Sequence, residues 1–231
     1  MILTGHQPTY LPWLGLFNKI SNSNCFILFD NVQYLPKEWM NRNKIKTPNG
    51  EIFLNVPVLK KSFLKKKIYE IKINNNLDWK RKHLKSIKLN YAKAEFYKDY
   101  IDYFEEIYSQ DWVYLLDLNF YMLKFFLKLL KIDVKILRLS ELNIQGKKSE
   151  LILNLCSKLE AKKFIFGKQG INYADIESFK EKKIDAIFQN YKHPSYKQLH
   201  GKFIPYLSII DLLFNCGNRS MKIINSYKIF K

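Results

Sequence analysis

Cysteine is scarce in this chain of 231 residues, and its three copies form no recognisable pattern. Cys25, Cys156 and Cys216 include no CxxC pair, and no histidine stands near them at metal-ligand spacing. Scattered cysteines in odd number argue against a disulfide scaffold and against a structural zinc site. We therefore expect no metal and a fold held by its apolar core, for which 47% hydrophobic residues are sufficient.

The sequence also lacks a targeting signal and a long apolar run. Its first residues, MILTGHQ, have neither the charged region nor the apolar stretch of a secretory signal. The stretch 112–131 approaches membrane-spanning length, but Asp117 and Lys124 interrupt it, which favours a buried helix. These absences predict a cytoplasmic protein without an integral membrane segment.

Arginine is rare, although the chain is strongly basic. The formal net charge is +18, from 39 basic and 21 acidic residues, and only Arg42, Arg81, Arg138 and Arg219 are arginine. Such a charge predicts attraction to nucleic acid or to an anionic membrane surface. The alternative is lysine spread over every solvated face by A/T-biased coding, since isoleucine and asparagine are also abundant. The sequence leaves both interpretations open.

Short apolar runs alternate with amphipathic stretches along the chain, as in α/β proteins. The runs predicted as parallel strands are 1–4, 25–29, 134–137, 164–166 and 184–188. The stretches predicted as helices are 13–20, 78–92, 95–109, 112–131, 148–160 and 208–216. A Thr-Pro-Asn-Gly turn followed by alternating apolar residues predicts an antiparallel hairpin over 45–58. After a basic connector at 60–67, the residues 69–73 alternate like a further strand.

We therefore predict one α/β domain over 1–231. Its mainly parallel, Rossmann-like sheet is flanked by helices, with a small antiparallel hairpin excursion and a helical insertion at about 77–131.

The first candidate site cluster is the polar turn 5–13, which follows the first strand and opens a helix. In open parallel sheets ligands bind at the carboxyl ends of strands, and a helix N-terminus offers unpaired N–H groups to an anion. His6 is a candidate acid, base or phosphate ligand, and Gln7 and Tyr10 are candidate binding residues. The alternative is a rigid, proline-bracketed turn that His6 merely caps.

The second cluster follows the second strand. Asp30 and Gln33 come directly after that strand, where a carboxylate and an amide suit recognition of a hydroxyl or an amine. Further on, Asn41 and Asn43 flank Arg42, whose planar guanidinium suits a phosphate or carboxylate. Loop capping and a surface ion pair are the structural alternatives.

A glycine-rich turn forms the third cluster. Gly167 and Gln169 follow a predicted strand, and turns of this kind let backbone amides approach phosphate. The turn matches neither a P-loop nor GxGxxG, so a purely conformational need for glycine is the alternative.

The fourth cluster, 189–215, is rich in aromatic and hydrogen-bonding side chains, as a sugar or nucleoside site would be. It contains His193 and Gln198, and Asp211 and Asn215 lie one helical turn apart on the last predicted helix. Asp211 is a candidate catalytic residue or, alternatively, a buried partner of other side chains.

These segments together resemble the WbqC-like family, whose members are found in bacterial O-antigen and surface-polysaccharide gene clusters. The resemblance rests on ILTGHQPTYLPWLGLFNKI, FDNVQY, WMNRNKIKTPNGEIFLNVPV, FIFGKQGINY and QNYKHPSYKQLHGKFIPYLSIIDLLFNCG, in order. It covers nearly the whole chain and departs at FGKQG, where family members tend to carry serine and proline. The turn after the first strand is also loosely similar to nucleotidyltransferase-type Rossmann proteins, which include ATP-dependent amide-forming enzymes.

The resemblance implies a transferase that joins an amino acid, glycine in particular, to an amino sugar of a lipopolysaccharide. In this hypothesis the sugar is nucleotide-linked, and ATP or an aminoacyl-tRNA supplies the activated acyl group. Arg42 and the turn 5–10 would hold phosphate or the activated carboxyl group. His6 or His193 would be the base, with Asp211 orienting or charging that site. Asp30 and Asn41 would recognise the sugar. The rival is a non-catalytic protein that binds tRNA or a lipid-linked glycan for a partner enzyme; a glycosyltransferase is disfavoured because no DxD-like pair is present.

Overall fold

Seven short strands form two sheets in the computed structural model, which describes residues 1–59, 65–227 and 229. The strands are β1 (Ile2–His6), β2 (Cys25–Leu28), β3 (Arg42–Thr47), β4 (Gly50–Asn55), β5 (Lys135–Arg138), β6 (Lys163–Phe166) and β7 (Asp185–Phe188). The helices are α1 (Leu14–Ser21), α2 (Trp79–Tyr91), α3 (Tyr97–Ser109), α4 (Leu115–Leu129), α5 (Lys148–Lys158), α6 (Ile176–Glu181), α7 (Ile209–Cys216) and α8 (Ser220–Ile224). Of the basic connector predicted at 60–67, residues 60–64 lie outside the described residues.

The larger sheet has five strands in the order β5-β2-β1-β6-β7, and every neighbouring pair is parallel. The chain therefore winds outward from β1 on one side through β2 to β5, and on the other side through β6 to β7. In a doubly wound sheet the connections diverge at such a reversal, which leaves a crevice at the carboxyl ends of the two central strands. Here those strands are β1 and β6. The predicted mainly parallel α/β sheet is confirmed.

Strand β2 illustrates why apolar runs form the centre of this sheet. All four of its residues are buried. Phe26 and Leu28 belong to one apolar cluster, whereas Cys25 and Ile27 belong to a second cluster. Because side chains alternate along a strand, the two clusters cover opposite faces of the sheet, and each face needs apolar residues.

The helices α2, α3 and α4 lie within the stretch 77–131, which the sequence predicts to be a helical insertion. Their buried apolar residues belong to the same cluster as those of α1 and α7, so this part of the chain packs on one face of the sheet. Asn119 of α4 donates a hydrogen bond of 2.7 Å to the Met40 carbonyl. Within the described residues, no helix is both long and apolar enough to cross a membrane.

The hairpin prediction is confirmed, but no continuous strand forms at 69–73, where Lys72 and Ile73 make isolated β-bridges only. Strands β3 and β4 pair antiparallel, and Thr47 lies opposite Gly50, whose φ of 115° favours glycine at the turn. Residues Ile68–Glu70 instead form a 3₁₀ turn. The Glu70 carboxylate accepts a hydrogen bond of 2.8 Å from the backbone N–H of Lys67, and this local cap outweighs the alternation of apolar residues that suggested a strand.

Candidate active site at the switch point of the sheet

A cavity lies at the carboxyl ends of β1, β6 and β7, where the sheet reverses its winding. Its volume is about 540 Å³, a size that suits a small ligand. Four of the predicted site residues line it, and they come from the turns after β1 and β6: His6, Gln7, Gly167 and Gln169. Two parts of the sequence that are far apart therefore meet here, as the rule for doubly wound sheets requires.

A smaller, mostly aromatic chamber of about 240 Å³ adjoins this cavity. Five residues line both spaces: His6, Thr9, Trp13, Trp39 and Tyr206. The Trp13 ring lies 5.6 Å from the ring of Tyr191 and 5.9 Å from that of Tyr206. Aromatic faces of this kind stack on sugar rings or bases, so the site offers one polar and one aromatic compartment.

His6 stands at the end of β1, between the two compartments. Its Nδ1 lies 2.8 Å from the Gln7 carbonyl, and a carbonyl only accepts, so Nδ1 carries the proton and Nε2 keeps its lone pair. Burial, and then the positive charge of Lys19, lower the pKa of His6 to about 4. At neutral pH the imidazole is therefore uncharged, and its free Nε2 can accept a proton.

Lys19 is a site residue that sequence reasoning missed. It lies on α1, is only 2% exposed, and donates a hydrogen bond of 2.9 Å from Nζ to the Gly5 carbonyl. Burial lowers its pKa to about 7. The signal was a lysine on a helical face shared with Gly15 and Leu16, but it was hidden among many solvated lysines.

Gln189 fixes helix α1 against the end of β7. Its Nε2 donates hydrogen bonds to the Gly15 carbonyl at 2.9 Å and to Asn18 Oδ1 at 3.0 Å. Gln189 itself lines the cavity, and these bonds hold the helix that carries Lys19. The glutamine is therefore a positioning residue for the polar compartment.

Tyr10 and Asn43, both predicted to bind substrate, make hydrogen bonds that stabilise the turn after β1. Tyr10 is fully buried, and its hydroxyl bonds to His83 Nδ1 at 2.8 Å and to the Tyr108 hydroxyl. Asn43 donates to the Leu11 carbonyl at 2.6 Å, although it also borders the aromatic chamber. The insertion thus supports the turn that carries His6.

Asp30 is fully buried at the end of β2, away from the cavity. It accepts hydrogen bonds from Arg138 Nε at 2.8 Å and from the backbone N–H and hydroxyl of Ser140 at 2.9 and 2.7 Å. Arg138 is the last residue of β5, and Ser140 follows it by two residues. The carboxylate therefore joins two neighbouring strands.

Replacing Asp30 with alanine should lower the free energy of unfolding by about 2–3 kcal/mol, because it removes an acceptor from three donors, one of them charged. Urea denaturation measures this loss. The Asp30→Asn variant keeps one oxygen acceptor and should lose less. A loss of ligand binding in a fully folded Asp30→Asn protein would contradict this structural role.

Apart from Asn43, the predicted residues of the second cluster do not line either compartment of the cavity. Arg42 lies 4.8 Å above the Phe53 ring and donates to the Lys37 carbonyl, and with Asn41 it borders a different, open groove. Asn41 donates to Asn55 Oδ1 at 2.9 Å. Gln33 pairs with Lys67 in an isolated β-bridge. The structure therefore does not bring these residues to His6.

Asp211 is the centre of a buried polar cluster that anchors the loop 190–206. It accepts hydrogen bonds from Tyr91 of α2 at 2.9 Å, and from Tyr196 and Gln198 of the loop at 2.8 and 2.9 Å. Burial raises the pKa of the Asp211 carboxyl, and the three donors oppose that rise. Asn215 Nδ2 donates to the Asp211 carbonyl at 2.7 Å. Neither Asp211 nor Asn215 lines the cavity.

His193 lies in the same loop, behind Tyr206. Its Nδ1 bonds to the Pro194 carbonyl at 2.9 Å, and its ring centroid is 5.1 Å from that of Tyr206. Its Nε2 is buried without a hydrogen-bond partner among the described residues. His193, like His6, bonds through Nδ1 to the carbonyl of the next residue, but it does not border the cavity.

The reversed strand order and the cavity above β1 and β6 define a Rossmann-like α/β protein with a cavity at its switch point. A model of the WbqC-like protein family matches residues 7–223, and the chain belongs to that family. It is similar to an uncharacterized protein of Mycobacterium tuberculosis (strain ATCC 25618 / H37Rv), Rv1507c, with 33% identity over 213 residues, which is 91% of this chain and 92% of that protein. No solved structure matches the chain. Within the described part of the chain, no group of three or more His, Cys, Asp or Glu residues is placed to bind a metal ion.

Proposed function

We propose that this protein is a transferase that forms an amide between an amino acid and the amine of a nucleotide-linked amino sugar, in surface-polysaccharide biosynthesis. The observation that carries the proposal is the position of His6, whose unprotonated Nε2 lies where a polar and an aromatic compartment meet. Family membership supports it, because the resemblance implies amino-acid transfer, with glycine as the expected amino acid.

The two compartments suit the two ends of such an acceptor. Lys19 and Lys168 give the larger compartment positive charge, which favours the diphosphate. Trp13, Trp39 and Tyr206 give the smaller compartment aromatic faces, which favour a sugar ring. An acceptor bound across both compartments would bring its amine close to His6.

In the proposed reaction the sugar amine attacks the acyl carbon of the activated amino acid. The new N–C bond forms as the bond from the acyl carbon to its leaving group breaks. The leaving group is a phosphate after ATP activation, and it is the ribose oxygen of the tRNA when aminoacyl-tRNA is the donor. His6 Nε2 accepts the proton from the attacking nitrogen. A bound phosphate would offset the charge of Lys19, so the pKa of His6 would rise from about 4 and the imidazole would become a stronger base.

The test is turnover of nucleotide-linked amino sugars with glycine, supplied either with ATP or as glycyl-tRNA. Mass spectrometry should find a product heavier than the acceptor by one glycyl residue, and only with the complete set of substrates. Neutral sugars linked to the same nucleotide are the matched control, because they lack the amine. Binding of the acceptor without turnover of any donor would reject the transferase.

A non-catalytic nucleic-acid-binding protein is the second candidate, and one surface favours it. Exposed Trp39 and Phe53 stack with ring centroids 6.2 Å apart, and Arg42 and Lys44 lie over the Phe53 ring. Aromatic and cationic side chains together bind single strands. Affinity for tRNA should then fall steeply as salt is raised, with no product formed from any donor.

A further inference from the structure

Lys19 is a buried cation without a counter-ion. None of the ion pairs among the described residues includes it. Its one hydrogen bond is to the uncharged carbonyl of Gly5. Burying an ammonium group away from water costs free energy unless an opposite charge lies beside it. The surroundings of Lys19 therefore do not fully stabilise its charged form.

The ammonium lies at the point where β1 and β6 diverge. Nζ contacts Gly5 near the end of β1, and a Cβ built on Gly167, just after β6, would lie 4.0 Å from Nζ. The glycine leaves that side of the lysine open to the cavity, and a side chain there would fill the space. This position between two strand ends is where doubly wound proteins bind the phosphate groups of their ligands.

The surroundings of Lys19 supply positive charge and hydrogen-bond donors. The titratable groups that line the same cavity are His6 from β1, Glu38 from the loop before β3, Lys168 after β6, and Tyr191 and Tyr206 from the loop 190–206. Glu38 is the single acidic residue among them, and it is exposed. A bound anion would therefore meet two lysines and little opposing negative charge.

We propose that Lys19 binds a phosphate group of the ligand, and that it takes up a proton when that group enters the cavity. This inference rests on the proposed function in one respect, which is that the ligand binds in this cavity. In the empty cavity a substantial fraction of the amine is unprotonated near neutral pH, because burial lowers the pKa of Lys19 to about 7. A phosphate oxygen supplies the missing counter-charge and favours the ammonium form.

Carbon-13 NMR of protein labelled at lysine Cε tests the inference directly, with sulfate as a doubly charged probe that does not titrate in this range. One lysine should titrate near neutral pH, well below the ordinary lysine value of about 10.4. Sulfate should move its midpoint upward by about one pH unit or more, relative to sodium chloride at equal ionic strength. An equal midpoint in the two salts would overturn the proposal.

Two lysine substitutions separate this site from the general positive charge. Lys19→Met should remove the shifted resonance and weaken sulfate binding about tenfold or more, as expected when a hydrogen bond to a charged group is lost. Lys98→Met removes an exposed lysine of α3 that does not line the cavity, and it should keep both the resonance and its response. Methionine approximates the length of the buried lysine side chain but carries no charge. The comparison of sulfate with chloride uses the wild-type protein alone, so it does not depend on the folding of any variant.

The outcome is separable from that of the transferase assay. A sulfate-dependent shift without turnover would keep the anion site and reject the transferase. Turnover by a wild-type protein that lacks the shift would reject the role of Lys19 alone.

Discussion

Replacing His6 with alanine should slow amide formation about 100- to 10,000-fold, the usual contribution of a positioned general base. The substitution removes Nε2, which is the unprotonated nitrogen between the two compartments. The side chain is only partly buried, so the fold should tolerate its loss. Single-turnover rates at saturating acceptor measure the effect, and thermal melting checks that the variant is folded.

His193→Ala is the matched control for this variant. Both histidines bond through Nδ1 to the carbonyl of the next residue, but only His6 lines the cavity. The His193 variant should therefore transfer within a few-fold of the wild-type rate. If His6→Ala were active and His193→Ala inactive, the general base would be His193 of the loop 190–206 and not His6.

The pH dependence of kcat/KM should identify His6 as the base. Its neutral form is the active one, so the rate should fall as the pH drops through its pKa of about 4 in the free protein. Lys19→Met removes a positive charge that lowers this pKa, so the acid limb should move to higher pH. Burial is the larger cause and remains, which keeps the limb below the ordinary histidine value.

Replacing Asp211 with alanine should lower the free energy of unfolding by about 3–5 kcal/mol, a large part of the stability of an ordinary domain. The variant leaves the hydroxyls of Tyr91 and Tyr196 and the amide of Gln198 without their acceptor in a buried site. Urea denaturation at neutral pH measures the loss.

Asp211→Asn is the milder comparison, since it keeps one oxygen acceptor and carries no charge to bury. The pKa of Asp211 is raised on folding, so its contribution to stability is fully present below the unfolded value of 3.8 and is lost as the pH rises through the folded value. The wild type should therefore lose stability relative to Asp211→Asn across that rise in pH. A stable but inactive Asp211→Ala protein would instead support the catalytic role suggested by the sequence.

The parallel strands could be predicted from the sequence because each contains a short apolar run, and the hairpin could be predicted from its turn residues. The expectation that polar residues after a strand line the ligand site does not hold for Asp30. Asp30 ends a strand and could be seen as a ligand-binding carboxylate, but its partner Arg138 is 108 residues away and joins it only when β2 pairs with β5. Lys19 was missed for the opposite reason, since nothing local distinguishes a buried lysine in a lysine-rich chain.

Asp211 holds both helix α2 and the loop 190–206, so the helices 79–129 cannot be removed without affecting that loop. Tyr91 ends the first helix of the insertion, and His200 of the loop 190–206 contacts the neighbouring Asn90 carbonyl at 2.8 Å. The same loop supplies Tyr191 and Tyr206 to the cavity wall. A minimal core made by excising the insertion would therefore lose a wall of its binding site, so the three helices are not a detachable module.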